Sequence, residues 1–476
     1  MNPEYRFDLC WPELYQLAII ALLFIQTLAK GERPRNVDWV PYAAAGGIFI
    51  AVVSLGFSGT FFYGAYAVDK LSQFFKLAVA VGFAIASLNA AKPPDIEGSK
   101  RSDYMLFLAF SAWGLMLLSS AVELITIYVA LEVASYSLYA LIPLRAQDRR
   151  AAEGGIKYIM FGAVATAVAL FGYAYVLAGA NTSYIVDLQG LELTYQAQPW
   201  VVVGLSLFLV GFLFKLALFP FHFWCPDVYE GTANETAAFV ATLPKLGAAV
   251  VLVRFAALLT PGWPITTVLA VFGAISMTFG NLAALAQRDL KRLLGYSSIA
   301  HAGYIMMGLV SGTAEGLAAA SFYALVYVLM NLTCFWVICR ISHTGKNITL
   351  DDLDGLAQRE PALAVVLAVA AFALVGLPPT AGFMGKLFLL QSLWDNGYNW
   401  LVIVAVLNTA IAIYYYLSMV RHAYTHEKEV HPSTRSATSV SAQVWGTVFA
   451  IVLLVLGAMP APVFDLAMAA GVALIP

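Results

Sequence analysis

Charge is what this chain has least of. Only 11% of its 476 residues are Asp, Glu, Lys or Arg, while 61% are apolar; a soluble domain carries roughly a quarter charged residues. The shortage excludes an ordinary soluble fold and places the chain among membrane proteins. The net charge of −2, with neither a basic nor an acidic tail, leaves no footprint for nucleic acid. Cysteine is scarce too. Cys10, Cys225, Cys334 and Cys339 lie apart without a CxxC pair, which argues against a disulfide framework, a zinc site or an iron–sulfur cluster and leaves them as small packing residues. No flavin or dinucleotide motif occurs, so no cofactor is expected. The N-terminus also reads as a poor cleavable leader: MNPEYRFDLCWPELYQLAII places acids ahead of its apolar run and shows no small-x-small site, so residues 13–29 are expected to be a retained first span.

What the chain has in abundance is long apolar runs. A helix needs about 20 residues to cross the hydrocarbon of a bilayer. Such stretches fall near 13–29, 40–57, 72–90, 103–120, 122–142, 155–178, 201–219, 236–258, 265–285, 294–311, 317–340, 362–392, 399–420 and 443–463. They are continuous and do not alternate, so the expected fold is all-α and polytopic, with about fourteen spans and no membrane barrel. The basic residues agree with that count. Cytoplasmic loops collect Lys and Arg, and here alternate loops hold Lys30, Arg33 and Arg35; Lys92, Lys100 and Arg101; Arg145, Arg149, Arg150 and Lys157; Arg288, Lys291 and Arg292; Arg340, Lys346 and Arg359; Arg421, Lys428 and Arg435. This topology puts both termini on the non-cytoplasmic side and, for a bacterial chain, the protein in the inner membrane.

Seven basic residues fall outside those loops. Arg6 is in the N-terminal tail, Lys70 and Lys76 open the third span and can snorkel, and Arg254 lies near an outer helix end. Lys215, Lys245 and Lys386 have no such escape, and Glu132 lies about ten residues into its own span, near mid-membrane. Each such charge costs at least about 2.5–3.5 kcal/mol in the bilayer, so the four together cost roughly 10–14 kcal/mol unless paired, hydrated or neutral. One acid cannot match three lysines, which weakens a purely structural set of ion pairs. Burial and a neighbouring carboxylate act oppositely on an ammonium group, so a lysine held between the two can exchange its proton near neutral pH. An ion pair at about 4 Å and an effective dielectric near 20 is worth about 4 kcal/mol, enough to drive such an exchange.

Helix breakers stand beside two of these lysines. Span seven reads FLFKLALFPFHFW, with Lys215 ahead of Pro220; span twelve reads ALVGLPPTAGFMGKLFLL, with Pro378 and Pro379 ahead of Lys386. Broken membrane helices are tolerated where they line protein or watery cavities, and matched breaks in two halves point to a transport site. Spans four to eight and nine to thirteen would form two five-helix units of opposite orientation. The expected organisation is residues 1–100 as a three-helix segment, 101–260 and 261–435 as the two inverted repeats, and 436–476 as the last span.

The remaining polar positions are more ambiguous. His222, Asp227 and Glu230 match no familiar metal-ligand spacing; a hydrogen-bonded loop is the expectation, with His222 a candidate proton entrance. His301, in YSSIAHAGY, is either a satisfied interior histidine or a bridge between lysine sites. Glu123 is expected to be solvated at a helix end, Lys157 to snorkel, and Tyr414–Tyr416 to be packing or interfacial aromatics.

The stretches KLALFPFHFWCPDVYEG, KRLLGYSSIAHAGY, GLPPTAGFMGKLFLL and YVALEVASYSLYAL resemble the antiporter-like membrane subunits of respiratory complex I, subunit N above all, over roughly residues 100 to 425. The resemblance implies fourteen helices, inverted repeats broken at helices seven and twelve, and a polar axis through Glu132, Lys215, Lys245 and Lys386. Lysine at 386 is similar to subunits N and L and unlike the glutamate usual in M; the long lateral helix of L is not expected here. It further implies a proton-translocating subunit of NADH–quinone oxidoreductase, with redox chemistry and quinone in partner membrane subunits. Two other settings fit the same residues: a multicomponent cation/proton antiporter and a membrane-bound hydrogenase-type complex.

Overall fold

The computed structural model describes residues 6–28, 36–145, 148–259, 264–394, 396–426 and 438–475. Lys30, Arg33, Arg35, Lys428 and Arg435 of the basic loops lie outside the described residues. The helices are α1 (Trp11–Leu28), α2 (Val40–Ser54), α3 (Lys70–Asn89), α4 (Arg101–Ser120), α5 (Leu124–Leu141) and α6 (Arg149–Ala180). Next come α7a (Pro199–Leu216) and α7b (Trp224–Gly231), then α8a (Asn234–Val240) and α8b (Leu243–Ala256). The second half holds α9 (Pro264–Ala284), α10 (Leu290–Val310), α11 (Ala314–Ile341), α12a (Pro361–Val375), α12b (Ala381–Trp394), α13 (Asn399–Tyr424), α14a (Val440–Ala458) and α14b (Ala461–Leu474). Among the described residues, twelve helical segments are long and apolar enough to cross a membrane. The shorter α2 and the two-part α12 stand where the other two of the fourteen expected spans fall. Among the described residues the strands are confined to a two-stranded antiparallel ribbon, β1 (Gly59–Phe61) with β2 (Tyr66–Val68), between α2 and α3.

Helix ends are set by local chemistry. Asp69 caps α3 in a reciprocal box with Ser72, Asp289 caps α10 through the Arg292 amide, and Thr313 caps α11 through that of Gly316; each accepts from an amide that the helix itself leaves unpaired. Glu123, expected in solvent, is buried and caps α5, accepting from the Thr126 amide and hydroxyl at 2.8 Å each.

Two interruptions share one geometry. At the end of α7a, Ala217 is left-handed (φ 60°), its amide bonds the Phe214 carbonyl and the Leu218 amide bonds that of Leu213. At the end of α12a, Gly376 is left-handed (φ 87°), its amide bonds Ala373 and the Leu377 amide bonds Phe372. This double closure satisfies the inner carbonyls and leaves those of the last residues, Leu216 and Val375, available to side chains. A further bend at Thr242, between α8a and α8b, is followed by Pro244 in the first turn of α8b, a breaker that the apolar run around it concealed.

α8, α10 and α11 are wrapped on nearly all sides, while α1, α6, α9, α13 and α14 carry the apolar outer surface. Close crossings rest on small residues, as between membrane helices generally. A Cβ on Gly204 of α7a would lie 2.7 Å from the Val176 nitrogen and 2.8 Å from the Gly172 carbonyl of α6. The last span runs beyond the expected 463. α14a and α14b follow α11 antiparallel, with Gly446 against Trp336, Phe464 against Phe322 and Gly471 against Ala314.

Candidate functional site

All three deep lysines are buried, and none is ion-paired. Lys215, Lys245 and Lys386 are 3%, 2% and 6% exposed, and among the described residues no carboxylate lies within 4.0 Å of their ammonium groups. Each instead combines an oxygen acceptor with an aromatic face. Lys215 donates to the Tyr158 hydroxyl at 2.9 Å and lies 4.6 Å from the centre of that ring. Lys245 donates to the Leu216 carbonyl at 2.8 Å and the Ser298 carbonyl at 3.3 Å, with Tyr327 beneath it at 5.7 Å. Lys386 donates to the Val375 carbonyl at 2.9 Å and the Thr409 hydroxyl at 3.4 Å, above Tyr304 at 4.2 Å. The carbonyls left open at the two helix breaks are thus the acceptors for two of the lysines. A helix C-terminus carries partial negative charge and a ring face attracts a cation, so an ammonium group is accommodated without a fixed carboxylate that would hold its proton.

Glu132 is buried on α5, beside the outward-facing Val129 and Tyr136. Thr166 and Tyr136 flank its carboxyl, whose Oε1 has no protein hydrogen-bond partner. Glu132 and Lys215 approach without forming an ion pair within 4.0 Å.

Between the lysines, α10 supplies a polar stripe. Ser298 meets Tyr327 and, at 3.1 Å, Tyr229. One turn on, His301 bonds the Tyr323 hydroxyl through Nδ1 at 2.7 Å and the Tyr416 hydroxyl through Nε2 at 3.2 Å; Tyr416 also meets Ser297. A further turn on, Tyr304 bonds Thr409 at 2.9 Å, and Thr409 reaches Lys386. Residues 297/298, 301 and 304 share one helical face, so α10 joins the Lys245 and Lys386 surroundings. Of the tyrosine run, Tyr414 is exposed, Tyr415 bonds Asn281 at 2.9 Å, and Tyr416 belongs to the row.

His222 does not join the row. It follows Pro220 in the α7 break, buried and packed among Phe219, Phe223 and Phe279, with no partner for Nδ1 among the described residues. Pro220, Pro378 and Pro379 lie in the gaps that follow α7a and α12a. Asp227 and Glu230 lie on a helix, one turn apart on α7b, and are clamped rather than simply looped. Asp227 binds Lys157 at 2.6 Å and Arg292 at 2.7 Å, and Glu230 binds Arg292 at 2.8 Å and Arg150 at 3.3 Å. Lys157, also paired with Glu153, is therefore a tie between α6 and α7b and not a free snorkelling chain.

Several buried groups escaped the sequence reading. Lys76 does not snorkel: it is fully buried and pairs with Glu13 of α1 at 2.8 Å, while the Tyr66 hydroxyl donates to Glu13 at 2.5 Å. Arg254 is buried against Asp69 at 2.7 and 3.0 Å. Lys291, assigned to a basic loop, is buried and donates to the Thr232 carbonyl at 2.5 Å. Glu235 is buried at the start of α8a. Glu13 and Lys76 each sit inside an apolar run, which was their signal. For the tyrosines no signal beyond the spacing of YSSIAHAGY was present. Among the described residues no group of three or more His, Cys, Asp or Glu could hold a metal.

Residues 121–412 match the family described as NADH:quinone oxidoreductase/Mrp antiporter, TM. Over 457 residues the chain is 58% identical to NADH-quinone oxidoreductase subunit N 2 of Solidesulfovibrio magneticus, covering 96% of this chain and 97% of that one. It is 45% identical to the subunit N 2 of Opitutus terrae, covering 95% of each. A chain of respiratory complex I from Thermus thermophilus with bound aureothin superposes with a TM-score of 0.82 at 32% identity, over 96% of this chain and 99% of that one. A chain of the Mrp complex from Dietzia sp. has the same fold, with a TM-score of 0.86 at 18% identity over 99% and 98% of the two chains. The chain belongs to the NADH:quinone oxidoreductase/Mrp antiporter membrane family, alongside the subunits N of NADH-quinone oxidoreductase.

Proposed function

We propose that this chain moves protons through its buried lysine row as a membrane subunit of an NADH–quinone oxidoreductase, beside other membrane subunits that carry out quinone reduction. The observation that carries this reading is the row itself. Of three buried ammonium groups without fixed counter-ions, Lys245 and Lys386 are joined by the Ser298, His301 and Tyr304 face of α10, and Lys245 holds the carbonyl of Leu216, the residue next to Lys215. Glu132 starts the row at the outward side of α5, where a neighbouring subunit can act on its charge. Lys215 responds first, Lys245 and His301 pass protons laterally, and Lys386 exchanges with the far side. Hydroxyls, an imidazole and amines at hydrogen-bond spacing are the groups through which protons transfer.

The matched closures after Leu216 and Val375 support two inverted five-helix repeats, residues 101–260 and 261–435, preceded by a three-helix segment over 1–100 and followed by 436–476. The alternating basic loops favour a bacterial inner membrane with both termini outside the cytoplasm. The aromatic stack around His222 favours a packing role over the proton entrance also considered for it.

Alanine at Lys215 or Lys245 tests the reading in the assembled complex. NADH-driven proton uptake into inverted membrane vesicles should fall with coupled turnover. Wild-type stoichiometry in either variant would overturn it. Pumping driven by a sodium gradient and indifferent to NADH would favour the cation-antiporter setting instead.

A further inference from the structure

On the basic face, above Lys245, lies a second set of buried polar groups that the lysine row does not use. Glu235 of α8a is 4% exposed, and its Oε2 has no protein hydrogen-bond partner among the described residues. It caps no helix, since Ala233 holds the N-cap position of α8a without a side-chain bond. Nor is it paired, for among the described residues no cation lies within 4.0 Å of it. The groups facing it are Asp95, Arg340 and Lys291, with the Tyr104 hydroxyl and the Cys339 thiol alongside. Tyr104 bonds the neighbouring Thr236 at 2.9 Å, Asn89 donates to Cys339 at 3.2 Å and Arg340 to the Leu88 carbonyl at 3.2 Å.

Further buried atoms lack a protein partner among the described residues: Oδ1 of Asn234, next to Glu235, of Asn89, which bonds Cys339, and of Asn331, on α11 with Cys339 and Arg340, and Nε of Arg340. Buried polar groups are almost always satisfied, and where protein does not satisfy them internal water does. Acceptors and a donor arranged this way are the lining that a hydrated chamber would need. Its inner end points to the row. Asn331 lies one helical turn along α11 from Tyr327, donates to the Tyr327 carbonyl at 3.2 Å, and Tyr327 is the ring beneath Lys245. Glu235 and Lys245 are ten residues apart along α8, about 15 Å, too far for a direct transfer and suited to a chain of waters and hydroxyls.

We infer that Glu235 is the proton-loading group of a water-filled entrance on the basic face, which delivers protons past Asn331 and Tyr327 to Lys245. The carboxylate takes a proton from water of that face. It releases the proton into the chamber, whose far end protonates the neutral Lys245 amine, and Glu235 returns to the carboxylate. Lys291, Arg340 and Asp95 set its charge balance without occupying it. This assignment rests on Lys245 being a proton carrier.

The test uses the intact complex in inverted vesicles, with NADH-driven proton uptake followed against pH on the basic side. Glu235→Gln keeps shape and hydrogen bonding but cannot titrate; it should lower coupled pumping by roughly tenfold. That is less than the 10²–10⁴-fold of a proton transfer at a reacting centre, because water can partly substitute. Glu235→Asp should recover most of the rate and the wild-type pH profile, which a merely structural role would not require. A Glu235→Gln complex with wild-type rate and profile overturns the assignment. Lys245→Ala run in parallel separates the layers. If it pumps normally, the lysine-row reading fails; if it is blocked while Glu235→Gln is normal, only the entrance fails. Should Glu235→Gln not assemble, Asn331→Leu decides, since it blocks the chamber and leaves the carboxylate in place. Slowed pumping supports the entrance, and normal pumping removes it.

Discussion

Replacing His301 probes the middle of the row most directly. Ser298 and Tyr304 are six residues apart on α10, about 9 Å along the axis, while proton transfer needs heavy atoms about 2.6–3.2 Å apart. His301 halves that span, and its two nitrogens already hold Tyr323 at 2.7 Å and Tyr416 at 3.2 Å. His301→Leu removes the bridge and leaves the Tyr323 hydroxyl buried without its partner, a cost of about 1–3 kcal/mol. Tyr416 keeps Ser297 and is affected less. His301→Gln separates stability from conduction, because an amide restores hydrogen bonds but does not carry a proton. The expected result is near-normal thermal stability for the Gln variant, a modest loss for Leu, and in both a fall in NADH-driven proton uptake of roughly 10²-fold, the low end for a lost acid–base group. Complex assembled with His301→Leu and pumping at wild-type rate and stoichiometry would refute a lateral path along α10.

Lys76→Leu alone should destabilise the subunit by about 3–5 kcal/mol, since it strands Glu13 in the interior; Glu13→Leu with Lys76→Leu should recover most of that in thermal denaturation of the purified complex. Gly204→Val forces α6 and α7a apart and should cost about 1–3 kcal/mol, read as lower yield of assembled complex. Asp69 sits at the end of α3 outside the membrane span. Burial disfavours its charge, but Arg254 and Ser72 outweigh this and hold the carboxyl below its ordinary 3.8. A depressed value means that its stabilisation is complete above about pH 4 and fades only as the pH falls through the lowered value. Thermal stability should therefore show no titration from this group between about pH 5 and 8, whereas Asp69→Asn, by leaving Arg254 unpaired, should lower it at every pH in that range.

How far the sequence could be read follows from the size of the energies involved. A charge in the bilayer costs at least about 2.5 kcal/mol, so Glu132, Lys215, Lys245 and Lys386 stood out from an apolar background, and prolines beside Lys215 and Lys386 marked two of the breaks; Pro244, beside Lys245, marked a third that the apolar run around it concealed. What holds those charges could not be read the same way. Lys245 and Lys386 end on the Leu216 and Val375 carbonyls, which every residue possesses and only a left-handed turn exposes. Tyr158, Tyr327 and Tyr304 are three of 24 tyrosines, and only helix rotation singles them out. Lys76 was misread through a boundary: α3 begins at Lys70 rather than 72, which carries Lys76 about 9 Å into the helix, within reach of Glu13 but out of reach of water. The residues with formal charge and the residues that solvate them thus carry unequal signals, and a relay needs both. The solvating set also decides the chemistry. Carboxylates in place of those carbonyls would hold the ammonium protons in fixed ion pairs, whereas a carbonyl and a ring face stabilise the cation only weakly and leave the proton free to move.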